Sequence, residues 1–243
     1  MNSYEKLEKF HGLRRSNQLV NVSLKHKYVW FKNAKVASST LSKSLQGLEV
    51  AETPFLKTPP HPGIEAAVHI KPYQLPATER EAILHGDEFL RFTFVRNPFV
   101  RLVSAYKDKV VGNKKEKAIV LRALELPREA LETEISFEQF IQSIHNSTPG
   151  QLDPHWMPQV LTTCARWTKH QLVGKIEAFQ DAYEELGQRL GVDLNQFYNY
   201  HAPHRAHADD SFREYYSSVE IRQMVRTYYA EDFAQFNYDT ELP

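Results

Sequence analysis

A chain of 243 residues, 42% apolar and 25% charged, can bury one substantial core and has no compositional bias toward disorder or fibres. Its 30 lysines and arginines equal its 30 aspartates and glutamates, so no global field recruits nucleic acid or an anionic membrane, and any anion site must be assembled locally. The one cysteine, Cys164, excludes an internal disulfide and makes a reducing compartment the simplest setting.

The N-terminal stretch MNSYEKLEKFHGLRRSNQ is polar, without the apolar segment or small-residue cleavage site of a secretory signal. No run approaches the roughly 18 apolar residues of a spanning helix. The expected protein is therefore cytoplasmic, with no membrane span. Short runs rich in aromatic and β-branched residues predict strands at 19–24, 28–31, 89–95 and 171–176. Helical stripes alternate with them. Leu41, Leu45 and Leu48 follow the second run, and Phe99, Leu102, Val103, Tyr106 and Val110 follow the third, with Asn97 as N-cap and Pro98 in the first turn. Ser136 and Gln139 form a capping box ahead of Phe137, Phe140, Ile141 and Ile144. Phe179, Ala182, Tyr183, Leu186 and Leu190 make a stripe ended by Gly191. A last helix is expected from about Ser217, with Glu220 three residues on. Strands separated by helices predict parallel βαβ units: an α/β, three-layer fold with a mostly parallel central sheet of about four or five strands flanked by helices, in a single domain over 1–243. The proline-rich 51–76 and the segment 146–158 are long loops of the kind that face substrates.

Two segments carry chemistry. Tyr28 to Leu41 reads as strand, loop and helix, and its loop holds Lys35, Val36, Ala37, Ser38, Ser39 and Thr40. Small residues at the mouth of a helix offer backbone N–H groups and the positive helix end to an anion, with Lys35 adding charge and the hydroxyls adding donors. An ordinary capped βα turn with a surface lysine fits the same residues. The loop contains no glycine, so it is not the GxxxxGK loop of the phosphate-binding NTPases. The second segment places Arg96 at the carboxyl end of an apolar strand, where α/β folds bind ligands, with Ser104 two turns into the next helix. Between Arg91 and Arg122 there are nine lysines and arginines against two acidic residues. A solvated basic helix face accounts for Lys114, Lys115 and Lys117, but not for an arginine ending an apolar strand, because buried charge needs a partner.

These segments, Lys35-Val36-Ala37-Ser38-Ser39-Thr40 and RNPFxRLxSAYxxK from Arg96, resemble the two donor-binding elements of the Golgi-type carbohydrate sulfotransferases, the group of the HNK-1, chondroitin and dermatan 4-O enzymes. They are more distantly similar to the heparan sulfate 2-O enzyme. The likeness continues through the stretch from Asp153 to Gln159, Cys164, the stretch from Leu172 to Glu177, and the closing segment from Ile221 to Tyr238, so that it covers about 27–238. It implies a P-loop-like donor site for 3'-phosphoadenosine-5'-phosphosulfate (PAPS), leaving PAP as product. By the same resemblance Lys35 and Val36–Thr40 hold the 5'-phosphosulfate, Arg96 and Ser104 hold the 3'-phosphate, and the acceptor is a hydroxyl of a saccharide or glycoconjugate. With one cysteine the chain departs from the family's lumenal cysteine pairs, and the expectation of no membrane span sets it apart from the family's anchored members.

Sulfuryl transfer needs a base for the acceptor proton and positive charge at the leaving phosphate. Lys35 serves the leaving side. For the base there are two candidates. His69 lies in the interval where the 2-O enzyme carries its histidine, and equally suits a satisfied histidine at a strand end. His155 equally suits a rigid loop with Trp156 and Pro158. A polar cluster of His201, His204, Arg205 and His207 could meet an anionic acceptor or simply be solvated. The scheme calls for no metal, and neither HExxH nor CxxC occurs. Two other functions compete. A P-loop small-molecule kinase would require a glycine-rich loop and an aspartate where Arg96 stands; a non-catalytic PAP- or PAPS-binding module would keep Lys35, Arg96 and Ser104 and dispense with His69.

Overall fold

The computed structural model describes residues 1–51, 53, 67–197 and 210–243. The helices in chain order are α1 (Ser3–Leu19), α2 (Ser38–Glu49), α3 (Ala77–His85), α4 (Pro98–Ala105), α5 (Lys117–Ala123), α6 (Phe137–His145), α7 (Gln159–Thr162), α8 (Phe179–Leu190), α9 (Val219–Tyr228) and α10 (Ala230–Gln235). The strands are β1 (Val20–Ser23), β2 (Tyr28–Phe31), β3 (Leu90–Val95) and β4 (Leu172–Lys175). The chain forms two compact units, one from Met1–Val95 with Leu161–Pro203 and one from Arg96–Val160 with His204–Pro243.

The first unit contains the sheet, in the order β1-β2-β3-β4. β1 is antiparallel to β2, while β2, β3 and β4 are mutually parallel, with Trp30 opposite Phe92 and Phe94 opposite Gly174. Strand side chains alternate between faces, and here both faces are apolar. Tyr28, Trp30, Phe92 and Phe94 pack on one side against Leu41, Leu45 and Leu48 of α2 and Phe179, Tyr183 and Leu186 of α8. Val20, Val22, Val29 and Phe31 pack on the other against Tyr4 and Leu7 of α1 and Ile83 and Leu84 of α3. The result is the expected three-layer α/β arrangement with a four-stranded, mostly parallel sheet. Cys164 lies in the second of these clusters, fully buried, and burial pushes its thiol well above the ordinary range.

The second unit is helical and organised by aromatic rings. Phe99 of α4 sits edge-on to Tyr216 at 5.0 Å and 5.3 Å from Phe233 of α10. Tyr106 packs on Phe137 and Phe140 of α6, and Phe140 on Trp156.

Local signals in the sequence match their elements closely. Asn97 caps α4 through its side chain, Ser136 and Gln139 form their capping box, and Gly191 ends α8 in the left-handed region at φ 70°. Two expectations shift. The stripe from Phe99 to Val110 is α-helical only to Ala105 and continues as a wider π turn over Tyr106–Val111, in which Tyr106 and Val110 are both buried. The cap of the last long stripe is Ser218 rather than Ser217, its hydroxyl accepting the Ile221 N–H at 3.2 Å. Among the described residues no helix is long and apolar enough to cross a membrane.

Gly174 of β4 faces the Phe94 ring so closely that an added Cβ would stand 2.5 Å from a ring carbon. Gly174→Ala is therefore expected to destabilise the fold by about 1–3 kcal/mol through overpacking, visible as a lower urea midpoint with an unchanged slope.

Candidate functional site

The loop between β2 and α2 is held in an uncommon conformation. Lys35 and Ala37 both occupy the left-handed region, at φ 67° and 54°. Asn33 pins the loop from beneath: its side-chain amide donates to the Phe94 carbonyl at 3.1 Å, while its carbonyl accepts the Thr162 hydroxyl at 2.8 Å. Val36 turns into the core, Ser39 is exposed, and Lys35, Ala37, Ser38 and Thr40 are half-buried. Ala37 is the N-cap of α2 and makes no side-chain cap, and the first turn carries no acidic residue. The α2 start therefore pairs the positive end of a helix with a first turn that carries no acidic side chain, a combination chemically compatible with an anion. α2 is anchored by Ser44, whose hydroxyl meets that of Tyr183 at 2.6 Å.

A second cationic group lies on the sheet of the same unit. The bridge between Val22 and Ile70 holds the flanking His69 and Lys71 at the sheet edge. His69 is 5% exposed and its Nε2 meets the Tyr28 hydroxyl at 2.8 Å. Burial, aided by Lys71 and Lys32, lowers its pKa to about 3, so the ring is neutral at physiological pH. Lys71 is buried with its ammonium on the Asn21 side-chain oxygen, and burial followed by the charge of Lys32 lowers its pKa to about 8. Lys32, also lowered to about 8 by burial, stands 5.7 Å from the centre of the Trp30 ring.

In the second unit Arg96 directly follows β3 and is 8% exposed. Its backbone is held by Gln159, whose side-chain oxygen accepts the Arg96 N–H at 3.0 Å and whose side-chain N–H donates to the Arg96 carbonyl at 2.7 Å. Ser104 is half-buried in the last turn of α4. The basic stretch is less uniform than its composition suggests. Lys114 and Lys115 are exposed, but Lys117 is buried along its stem with its ammonium on the Asn113 oxygen at 2.6 Å, which corrects the expectation of a solvated side chain. Arg101 is 1% exposed and spans a turn, donating to the Met157 and Pro154 carbonyls at 2.8 Å each.

That turn carries His155. Its Nδ1 meets the Asp153 carboxylate at 2.5 Å, and Asp153 also accepts the His155 backbone N–H at 2.9 Å. The neighbouring Trp156 and Met157 are core residues, and the Tyr229 hydroxyl donates to the Trp156 carbonyl. The rigid-loop reading and an oriented histidine are therefore compatible. The imidazole is 27% exposed, on a turn braced from three sides, with one nitrogen held by a carboxylate in the manner of a base and its orienting group.

Sequence reasoning passed over Asp153, Asn33, Gln159 and Asp232. Asp153 was visible as an acid two residues before a histidine; for the others no local pattern marks the partner. The cluster of His201, His204, Arg205 and His207 and most of the proline-rich loop 51–76 lie outside the described residues. Among the described residues, no three His, Cys, Asp or Glu side chains gather as metal ligands.

Residues 18–239 match the family described as the sulfotransferase family. Carbohydrate sulfotransferase 8 of Homo sapiens is 30% identical over 190 residues, which cover 68% of this chain and 43% of that protein. Carbohydrate sulfotransferase 11 of Mus musculus is 27% identical over 166 residues, covering 62% and 47%. Carbohydrate sulfotransferase 10 of Gallus gallus is 24% identical over 236 residues, covering 88% and 64%. The chain thus spans less than half the length of the first two of these relatives. No solved structure matches.

The buried state of His69 has a measurable consequence. The folded chain keeps it neutral where the unfolded chain protonates it, so between pH 6.5 and about 3 the unfolded state binds more protons and stability falls as pH drops. His69→Gln removes that contribution, worth up to about 1.4 kcal/mol per pH unit in this window. Denaturant titrations from pH 7 to 4 should show the wild type losing more stability than the variant; parallel losses would refute a histidine buried in its neutral form.

Proposed function

The chain belongs to the sulfotransferase family, and from that premise we propose that it moves a sulfuryl group from PAPS to a hydroxyl of a saccharide or glycoconjugate. The observation that carries the reading is the β2–α2 loop, with Lys35 and Ala37 in the left-handed region ahead of a helix start that has neither a side-chain cap nor an acidic first turn. This is a preorganised anion cradle, and the family match supplies the anion's class.

In this reading Lys35, with the backbone and hydroxyls of Val36–Thr40, binds the 5'-phosphosulfate. It stabilises the charge that accumulates on the leaving 5'-phosphate as the sulfur–oxygen bond breaks. Arg96 and Ser104 bind the 3'-phosphate, the group that separates PAPS from ATP. The acceptor hydroxyl loses its proton to a histidine as its oxygen bonds to sulfur. His155 suits that task better than His69. Asp153 holds Nδ1, which leaves Nε2 to take the proton and stabilises the imidazolium that results. His69 has its Nε2 engaged by Tyr28 and a low proton affinity, so its role in this reading is to pack the sheet edge. The saccharide acceptor rests on the relatives, all three of which are named as carbohydrate sulfotransferases.

The direct test is transfer of labelled sulfate from PAPS onto a panel of saccharides, lipids and phenols, with transfer expected to saccharides. Thermal stabilisation by PAP but not by ATP with Mg²⁺ separates the reading from a kinase. Lys35→Ala should lower kcat by about 10²–10³-fold. His155→Ala should lower kcat by about 10²–10⁴-fold and leave PAP affinity unchanged, with Asp153→Asn following in the same direction. Loss of turnover in His69→Ala with full activity in His155→Ala would transfer the base assignment to His69, and PAP binding without turnover in the wild type on every acceptor would favour the non-catalytic module.

A further inference from the structure

Arg96 stands between regular elements: β3 has ended at Val95, and α4 has not begun until Pro98. Both of its backbone polar groups are nevertheless satisfied by one side chain. The Gln159 amide accepts from the Arg96 N–H at 3.0 Å and donates to the Arg96 carbonyl at 2.7 Å, closing a ring that imitates a strand neighbour. Gln159 is itself immobilised. Its backbone N–H and that of Val160 donate to the two oxygens of Asp232 at 2.7 and 2.8 Å. Arg101 draws the preceding turn together through the Pro154 and Met157 carbonyls and contributes favourable charge to Asp232. Gln159 and Asp232 are wholly buried, and Arg101 is nearly so.

Such a network is a costly way to fill space. Buried charged and polar groups must be desolvated, and apolar residues of the same volume often give a stability as high or higher. What an apolar replacement would not supply is a fixed backbone at residue 96, the point from which the arginine side chain departs. Phosphate recognition by a guanidinium depends on orientation, because its paired N–H groups must meet paired oxygens. An arginine on a held backbone also has less freedom to lose on binding.

We propose that Gln159 is the positioning residue for Arg96, that Asp232 locks Gln159 in that position, and that this clamp sets the preference for a nucleotide carrying a 3'-phosphate. The proposal rests on the reading above, in which Arg96 binds that phosphate. Burial raises the Asp232 pKa to about 6, against the pull of the two N–H donors and Arg101, and both of its oxygens accept N–H bonds as those of a carboxylate do.

The experiment compares dissociation constants for PAP and 5'-AMP, which differ by the 3'-phosphate, in the wild type, Arg96→Ala, Gln159→Met and Gln159→Glu, with folding checked by circular dichroism and thermal melting. The wild type should prefer PAP, and Arg96→Ala should lose that preference. Gln159→Met, similar in size but unable to hold the backbone, should keep its 5'-AMP affinity and lose about tenfold of the PAP preference. Gln159→Glu covers the case in which the methionine variant does not fold. Ionised, it cannot donate to the Arg96 carbonyl; protonated, it can. Its PAP preference, measured against the wild type at each pH, should therefore recover as pH is lowered. A folded Gln159 variant with the wild-type preference, or a glutamate variant without recovery, overturns the clamp while leaving the Arg96 assignment intact if Arg96→Ala has lost the preference. An Arg96→Ala chain that keeps the preference overturns the donor reading and the clamp together.

Discussion

The parallel pairing of β2 with β3 is the constraint on which the first unit is built. It brings the carboxyl ends of both strands to one edge of the sheet, with Phe31 opposite Thr93 and the Asn33 side chain bonded to the Phe94 carbonyl. The conformation of the β2–α2 loop follows from that edge. The chain must reverse from strand to helix within 32–37, and it does so with two non-glycine residues in the left-handed region, each at a cost of order 1–3 kcal/mol. The Asn33 bonds and the insertion of Val36 into the core help offset that cost. The result is a strand-to-helix turn held in one conformation by buried side-chain bonds and core packing.

The second unit secures its own cation by a different physical means. Arg96 lies beyond the end of β3, and its backbone is held by a side-chain amide, which a buried carboxylate and a buried guanidinium support in turn. The three groups depend on one another. Arg101 favours the charge on Asp232, Asp232 fixes the start of α7, and Gln159 closes on Arg96. In a low-dielectric interior such a network is stable only when every member is satisfied, which makes it sensitive to single substitutions and specific in geometry.

The histidines illustrate how environment divides one residue type into different roles. His11 is buried like His69 and His170 is half-buried, and desolvation lowers the pKa of both to about 4; the Nε2 of each meets a backbone carbonyl. They are neutral packing groups. His155 differs because a carboxylate two residues away holds its Nδ1 on a partly exposed turn. Its neighbours Trp156 and Pro158 read as rigidity in the sequence, and that rigidity is also what keeps an imidazole aimed.

The amino-acid sequence by itself determined the elements and their order. The four strands lie within a residue or two of the apolar runs, and the caps at Asn97, Ser136 and Gly191 stand where side-chain chemistry requires them. The loop of Lys35 and the position of Arg96 after a strand were also legible, because strand periodicity, helix capping and small-residue loops are set by neighbours a few positions apart. The tertiary structure alone decided which polar groups are paired. Asp232 meets Gln159 across 73 residues of chain and Asn33 meets Thr162 across 129, and no local pattern encodes either contact. It also decided that Lys117 is buried, that His69 is neutral and that Asp153 orients His155, since burial and dielectric are properties of the packed interior and not of the residues taken in order.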